Sequence, residues 1–333
     1  MTTQDIILEI KNLKKYYPVT EGILKKSIGS VRAVDDVSLQ VYRGETLGIV
    51  GESGCGKTTL GKSIVRLHEP TDGEIRIRYE SDLIDIYSLN RLESFRARRR
   101  IQMVFQDPFS SLNPVKNIFT AFDEPLKIHG FGKEAERREI IAEALRNVNL
   151  QPDYMYRYPH EFSGGQRQRI CIAKSLALNP EVVVCDEPVS SLDVSIQAQI
   201  LNLMKELQKR HSLTYVFIAH DLSVVEYMSD RVAVMYLGKV VELAGSDEMY
   251  SSHAHPYTEA LLSAVPVPAL GAKKNRIILK GDVPSPFNPP TGCRFHPRCP
   301  KIIRDTNICS ETEPELKLKK GTKNHYVACH LIG

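Results

Sequence analysis

The segment GESGCGKTT, Gly51 to Thr59, constrains this chain more than any other, because the apolar run ETLGIV precedes it and the helical run KTTLGKSIVRL grows out of it. A G-x-x-x-x-G-K-[ST] pattern makes a phosphate-binding loop between a strand and a helix, and a chance glycine-rich turn would lack both neighbours. Glycines let the backbone curl so that successive N–H groups converge on phosphate oxygens at a helix N-terminus, where the dipole also favours an anion. Gly51, Ser53, Gly54, Cys55, Gly56, Lys57, Thr58 and Thr59 are therefore candidate nucleotide contacts. Lys57 offers a point charge for β- and γ-phosphates, and the Thr58 hydroxyl suits magnesium.

EVVVCDEP supplies a second half. Asp186, at the end of an apolar strand, can hold magnesium, and Glu187 beside it can orient or deprotonate a water. Alone, an Asp-Glu pair could be a plain strand end; with the phosphate loop it reads as chemistry. The runs ETLGIV, IQMVF, EVVVCD, TYVFIA and RVAVMY predict strands buried in a mostly parallel sheet covered by helices, an α/β fold. KEAERREIIAEALRNV places Ile140, Ile141, Ala144, Leu145 and Val148 on one helical stripe, so the region from about Pro114 to Pro159 predicts a helical insertion. After Val265 the prolines Pro266, Pro268, Pro284, Pro286, Pro289 and Pro290 argue against a helix or central strand, and a linker to a small appended module is expected.

The stretch EFSGGQRQRICIAKSLALNPEVVVCDEPVSSLD, with VFQDP before it and IAHD after it, resembles the ATPases of ABC transporters. The resemblance covers most of Ile6 to Ser263 and departs from the family at Phe162, where most members have Leu. It implies an ABC-type P-loop fold with a mostly parallel core sheet, an antiparallel β subdomain and a helical subdomain at about 107–180, the whole ATPase domain spanning 1–264 and a small cysteine-bearing extension spanning 265–333. It implies ATP and magnesium as ligands, Gln106 reaching the metal and the attacking water, and His220 contacting the γ-phosphate. Tyr17 matches the aromatic that stacks on adenine, with Tyr16 its neighbouring rival. Ser163, Gly164, Gly165 and Gln166 match the signature that faces the phosphates of a second subunit, and Asp193 the acid that crosses the dimer interface. One copy of each motif then implies a dimer with another ATPase chain.

VTEGILKKSIGSVRAVDDVSLQV, FQDPFSSLNP and HPYTEALLSAVPVP are similar to ATPase subunits of oligopeptide and dipeptide importers. That branch implies a second, non-identical ATPase, two transmembrane permease subunits and an extracytoplasmic binding protein; nickel, glutathione and oligosaccharide importers use similar chains, and a soluble non-transport ATPase is the rival reading. The N-terminal MTTQDIILEI carries an acid where a signal peptide is basic, and no stretch approaches 18 apolar residues, so the chain is expected to stay in the cytoplasm without crossing a membrane; the importer resemblance implies peripheral attachment at the cytoplasmic membrane face. The run RARRR, Arg96 to Arg100, reads as a solvated helical face, and a net charge of +4 without a recognition fold gives no nucleic-acid partner.

Four of the seven cysteines, Cys293, Cys299, Cys309 and Cys329, fall in the last 41 residues, spaced C-x5-C-x9-C-x19-C. In a reducing compartment such a group points to metal before disulfides. The tight C-x2-4-C knuckle of structural zinc is absent, and Pro300 after Cys299 echoes the Cys-Pro of ferredoxins, yet spacing alone leaves zinc, an iron-sulfur cluster and free thiols open. The importer resemblance implies a 4Fe-4S cluster on these four. Cys55, Cys171 and Cys185 are expected to be buried, inert thiols.

Overall fold

The computed structural model describes residues 5–22, 26–265 and 276–332, so Pro266 and Pro268 of the expected linker lie outside the described residues. A four-stranded antiparallel sheet is built from β1 (Ile6–Glu21), β2 (Lys26–Tyr42), β4 (Asp72–Tyr79) and β5 (Asp82–Asp85), in the order β2-β1-β4-β5. The second sheet contains β3 (Thr46–Val50), β6 (Ile101–Val104), β7 (Val182–Asp186), β8 (Thr214–Ile218), β9 (Arg231–Tyr236), β10 (Lys239–Gly245), β11 (Lys317–Leu318) and β12 (Tyr326–Val327). Its order is β11-β12-β10-β9-β3-β8-β7-β6. The block β9-β3-β8-β7-β6 is parallel, whereas β10 and the tail strands run antiparallel beside it.

All five apolar runs singled out in the sequence are strands of this parallel block. Their side chains alternate between two cores, as a period of two requires. Val182 and Val184 of β7, Val216 and Ile218 of β8, and Ala233 and Met235 of β9 face the core shared with the antiparallel sheet. Val183 and Cys185, Tyr215 and Phe217, and Val232 and Val234 face the helices on the other side. Burial on both faces is why these strands read as continuous apolar runs.

Helix α1 (Lys57–Ile64) follows β3 and puts Leu60 and Ile64 into the first core. Helix α2 (Arg91–Arg100) starts at a capping box in which Asn90 accepts from Leu92 and Glu93 N–H groups. Its basic run is only half solvated: Arg96 and Arg98 are exposed, but Arg99 Nε donates to the Leu178 carbonyl at 3.0 Å and Arg100 pairs with Glu181. Two of the four arginines in RARRR thus pin α2 to the loop before β7. The expected insertion contains α3 (Ile118–Ile128) and α4 (Glu134–Asn147), with 3-10 turns at Pro152–Tyr156 and Pro159–Glu161. Ile141, Ala144, Leu145 and Val148 are buried, while Ile140 is partly buried against the same core.

Helices α5 (Gly164–Leu176) and α6 (Val194–His211) flank β7 in sequence, and α7 (Leu222–Met228) follows β8. After β10 come α8 (Ser246–Ser252) and α9 (Pro256–Ser263). The proline-rich span beyond is irregular and runs along β2, where Arg32 N–H donates to the Pro286 carbonyl at 3.0 Å. In the expected appended module β12 pairs with β10 and extends the main sheet, and Phe295, Val327 and Ala328 are buried.

Candidate active site

The phosphate loop is closed by contacts that tolerate no side chain. A Cβ on Gly51 would lie 2.1 Å from the Met235 carbonyl oxygen, and one on Gly56, at φ 107°, would lie 2.0 Å from that of Ala33. Gly56 also leaves the first turn of α1 without a side-chain cap, so its N–H groups remain available to an anion. Lys57, 5% exposed, folds back inside the loop and donates to the Gly51 carbonyl at 2.7 Å and the Glu52 carbonyl at 3.0 Å.

Beyond the C-terminal ends of β6, β7 and β8, three more groups converge, in the crevice where open parallel sheets bind ligands. Thr58 Oγ1 donates to Asp186 Oδ1 at 3.0 Å, and burial pushes the Asp186 carboxyl upward, with the neighbouring Glu187 charge adding to it. A divalent cation would relieve that penalty, and these oxygen donors suit magnesium. Glu187 sits at φ 46°, a conformation unusual for any residue but glycine, and its amide donates to the Ile218 carbonyl at 2.8 Å. Its Oε2 accepts from Gln106 Nε2 at 2.9 Å and lies 3.1 Å from His220 Nδ1. A cavity of about 330 Å³ is lined by Ala33, Ser53, Gly54, Gly56, Lys57, Thr58, Thr59, Gln106, Glu187 and His220. A carboxylate, an amide and an imidazole thus stand over a phosphate cradle, an arrangement able to position and deprotonate water at a phosphoryl group.

Other residues expected at the site lie outside this cavity. Tyr17 is on β1, opposite Val31, with its ring edge-on to His68 at 5.8 Å. The rival Tyr16 donates its hydroxyl to Asp35, which commits it to the protein. Ser163 caps α5, its hydroxyl accepting from Gln166 N–H at 3.3 Å while Gln166 Oε1 accepts from Ser163 N–H at 3.0 Å. This box places Gly164 and Gly165 at a helix N-terminus, and neither lines the cavity around the chain's own phosphate loop. Asp193 is exposed at the start of α6 and makes no cap hydrogen bond.

Sequence reasoning missed two features of the loop's surroundings. Ala33 forms one wall, delivered by β2 without any motif of its own. Behind the loop, Tyr257 Oη accepts from Glu52 N–H at 2.9 Å, and Arg298 pairs with the Glu52 carboxylate at 2.7 and 3.2 Å.

All seven cysteines are free. Cys55, Cys171 and Cys185 are buried, and burial pushes all three thiols up, that of Cys171 to about 12, so they stay protonated. The four tail cysteines are half-buried, and Cys293 N–H donates to the Cys309 carbonyl at 2.8 Å. Burial above all, with the charges of Cys329, Cys299 and Cys309 adding to it, raises the Cys293 thiol to about 11. Such mutual repulsion is what a bound cation would offset. The donor chemistry therefore fits a metal, but among the described residues no group of three or more His, Cys, Asp or Glu side chains is set to hold one.

Residues 34–190 match the family model described as ABC transporter, and residues 241–305 match that described as oligopeptide/dipeptide transporter, C-terminal region. The chain is 53% identical over 332 residues to the oligopeptide transport ATP-binding protein AppF of Bacillus subtilis, with 98% of each chain covered. It is 49% identical over 327 residues to a putative peptide import ATP-binding protein of Brucella ovis, again covering 98% of each. Among solved structures it is similar to the ATP-binding cassette MJ0796, in a dimeric post-hydrolysis state bound to ADP and Pi, with TM-score 0.62 and 30% identity over 72% of this chain and 99% of that one. It is also similar to cbiO1 from Clostridium perfringens, part of the ABC transporter complex cbiONQ, with TM-score 0.61 and 26% identity over 75% of this chain and 92% of that one.

Proposed function

The chain belongs to the family of ABC-transporter ATP-binding proteins and is an ATP hydrolase of that type, and from this premise we propose that it powers the import of oligopeptides or dipeptides through a membrane transporter. One observation carries the hydrolytic part: the Glu187 carboxylate sits within hydrogen-bonding reach of Gln106 and His220, over Lys57 and the Thr58–Asp186 pair. In this reading Glu187 takes a proton from the attacking water while Gln106 holds that water in line. His220 steadies Glu187 and reaches toward the γ-phosphate. Lys57 leaves the carbonyls of Gly51 and Glu52 for the β- and γ-phosphates, and the N–H groups of the loop through Thr59 cradle them. Thr58, Asp186 and Gln106 hold magnesium, which when bound offsets phosphate charge. Tyr17, rather than the committed Tyr16, stacks on adenine.

The signature residues Ser163, Gly164, Gly165 and Gln166 and the acid Asp193 act in trans, on ATP held by a second, non-identical ATPase subunit. Their position away from the chain's own cavity supports this division. Among the described residues no helix is long and apolar enough to cross a membrane. The proposed seat is the cytoplasmic membrane face, beneath two permease subunits fed by an extracytoplasmic binding protein. Phe109, 57% exposed, and Val115, 79% exposed, follow Gln106 directly and offer the apolar surface such docking requires. For the tail, a 4Fe-4S cluster on Cys293, Cys299, Cys309 and Cys329 is proposed, with zinc as the alternative; four free, half-buried thiols in one short segment support it. The test is reconstitution with the partner ATPase, permeases and binding protein in vesicles. Peptide-dependent ATP hydrolysis and uptake are expected; hydrolysis coupled instead to nickel, glutathione or an oligosaccharide, or a soluble homodimer indifferent to the permeases, would overturn the assignment.

A further inference from the structure

We propose that Arg298, a residue of the C-terminal segment, is a positioning residue for the ATP reaction, acting through Glu52 to set the phosphate loop. Glu52 occupies a position that the motif leaves free, yet every polar group it has is engaged. Its N–H donates to Tyr257 Oη at 2.9 Å, its carbonyl accepts from Lys57 at 3.0 Å, and its carboxylate is gripped by both Arg298 amino groups at 2.7 and 3.2 Å. A forked guanidinium–carboxylate pair fixes orientation as well as distance. The Lys57 ammonium is therefore set by a residue whose own place depends on the tail.

Arg298 is built in rather than laid on the surface. Its side chain is 9% exposed, Tyr236 Oη lies 3.5 Å from it, and the rings of Tyr236, Tyr257 and Phe295 stack edge-on behind it at 4.7 and 5.3 Å. The same short segment is fastened again four residues earlier. Arg294 donates to the Leu237 carbonyl and pairs with Asp35, both side chains under 10% exposed. Asp35 N–H donates to the Gly238 carbonyl and Gly238 N–H to the Cys55 carbonyl, each at 2.9 Å. Arg294 and Arg298 thereby brace two points of the loop, Cys55 and Glu52, from one strip of tail.

The inference rests on Gly51–Thr59 being the nucleotide site, and its test separates the two. MgATP binding by calorimetry on the full chain, and steady-state hydrolysis with the partner ATPase present, are measured for wild type, Arg298→Ala, Arg298→Lys, Glu52→Gln and the Glu52→Gln/Arg298→Ala double variant, with nucleotide-free melting as a control. Each single loss is expected to weaken ATP binding and raise KM about tenfold with a smaller change in kcat, and the double variant is expected to be no worse than one single, because coupled residues are not additive. Arg298→Lys should fall between wild type and Arg298→Ala, and it carries the test if the alanine variant does not fold. Unchanged KM in a folded Arg298 variant, a lowered melting temperature as the sole effect, or a double variant weakened about a hundredfold would each overturn the inference. Failure of wild type to bind ATP would overturn the nucleotide site itself.

Discussion

The ATP pocket and the cysteine-bearing tail are held together in opposite ways. Within the phosphate loop itself the bonds are short-range in sequence and end on backbone, Lys57 donating to the carbonyls of Gly51 and Glu52, and only the catalytic side chains above it are joined from distant strand ends. The tail is held by side chains from remote positions. His325, fully buried, bonds to Glu242 at 2.7 Å across 83 residues, and Arg294 reaches Asp35 across 259. The pocket keeps a strained Glu187 at φ 46° for chemistry, whereas the tail is attached by the buried Arg294–Asp35 ion pair and the buried His325–Glu242 hydrogen bond. Changes in the pocket should therefore alter rate, and changes in the tail should alter stability, with Arg298 the crossing point.

The largest effect expected from breaking this division is on the chemical step. Glu187→Gln keeps the size and the contacts with Gln106 and His220 but removes the base. Phosphate release should fall about 10²–10⁴-fold. ATP binding and melting should hardly move. With ATP and the partner chain the variant should stay as a closed dimer on a sizing column, and a monomer there would count against the shared-site reading.

On the tail side, Glu242→Ala strands His325 and the Ala254 and His255 N–H groups that Glu242 accepts from at 2.7 and 3.0 Å. Breaking a buried pair in this way should cost about 3–5 kcal/mol in denaturant unfolding. Full stability with impaired turnover would contradict the comparison.

Acid should reach the tail next. Burial holds the His255 imidazole down to about 4, against 6.5 for a free one, although the Glu242 charge and the Ala328 backbone oppose this. His255 Nδ1 accepts from Tyr257 N–H at 3.1 Å, a bond only the unprotonated nitrogen can make. Because the unfolded chain binds the extra proton first, its contribution is complete above about pH 6.5 and is lost as pH falls toward 4, roughly 3 kcal/mol in all. Stability measured across that window should show the slope, and His255→Asn should flatten it.

The same contrast explains what could be read from the chain. The parallel strands are apolar runs buried on both faces, and the phosphate loop is nine consecutive residues, so both are visible locally. Gln106, Glu187 and His220 each end or follow such a run, and their meeting follows from the neighbouring places of β6, β7 and β8. The prolines from 284 to 290 lie in irregular chain, but further on β12 pairs with β10 on one side and β11 on the other, contacts that need only two residues each and leave no sequence signal. Nothing in CRFHPRC shows that Arg294 and Arg298 reach the phosphate loop, since those contacts depend on how distant segments pack. Arg99 and Arg100 mislead for a similar reason: a basic run looks solvated until Leu178 and Glu181 are placed beside it.

The smallest expected effect concerns the metal. Cys309 lies in helix α10 (Ile308–Glu311), and its carbonyl, which accepts from Cys293 N–H, is untouched by a change of side chain. The pairing of β12 with β10 and the His325–Glu242 bond hold the tail without any thiol. Cys309→Ser should therefore abolish iron and acid-labile sulfide, roughly four of each per chain in anaerobically purified wild type, along with the visible absorption. Melting should shift by only about 2–4 °C, and ATP hydrolysis should stay within about twofold, since a surface-near substitution of similar size costs about 1 kcal/mol or less. One zinc and no sulfide in the wild type would replace the proposed cluster with a structural staple. A collapse of stability in the serine variant would mean that metal, and not the buried ion pairs, fastens the tail, which would remove the basis for separating rate from stability along this chain.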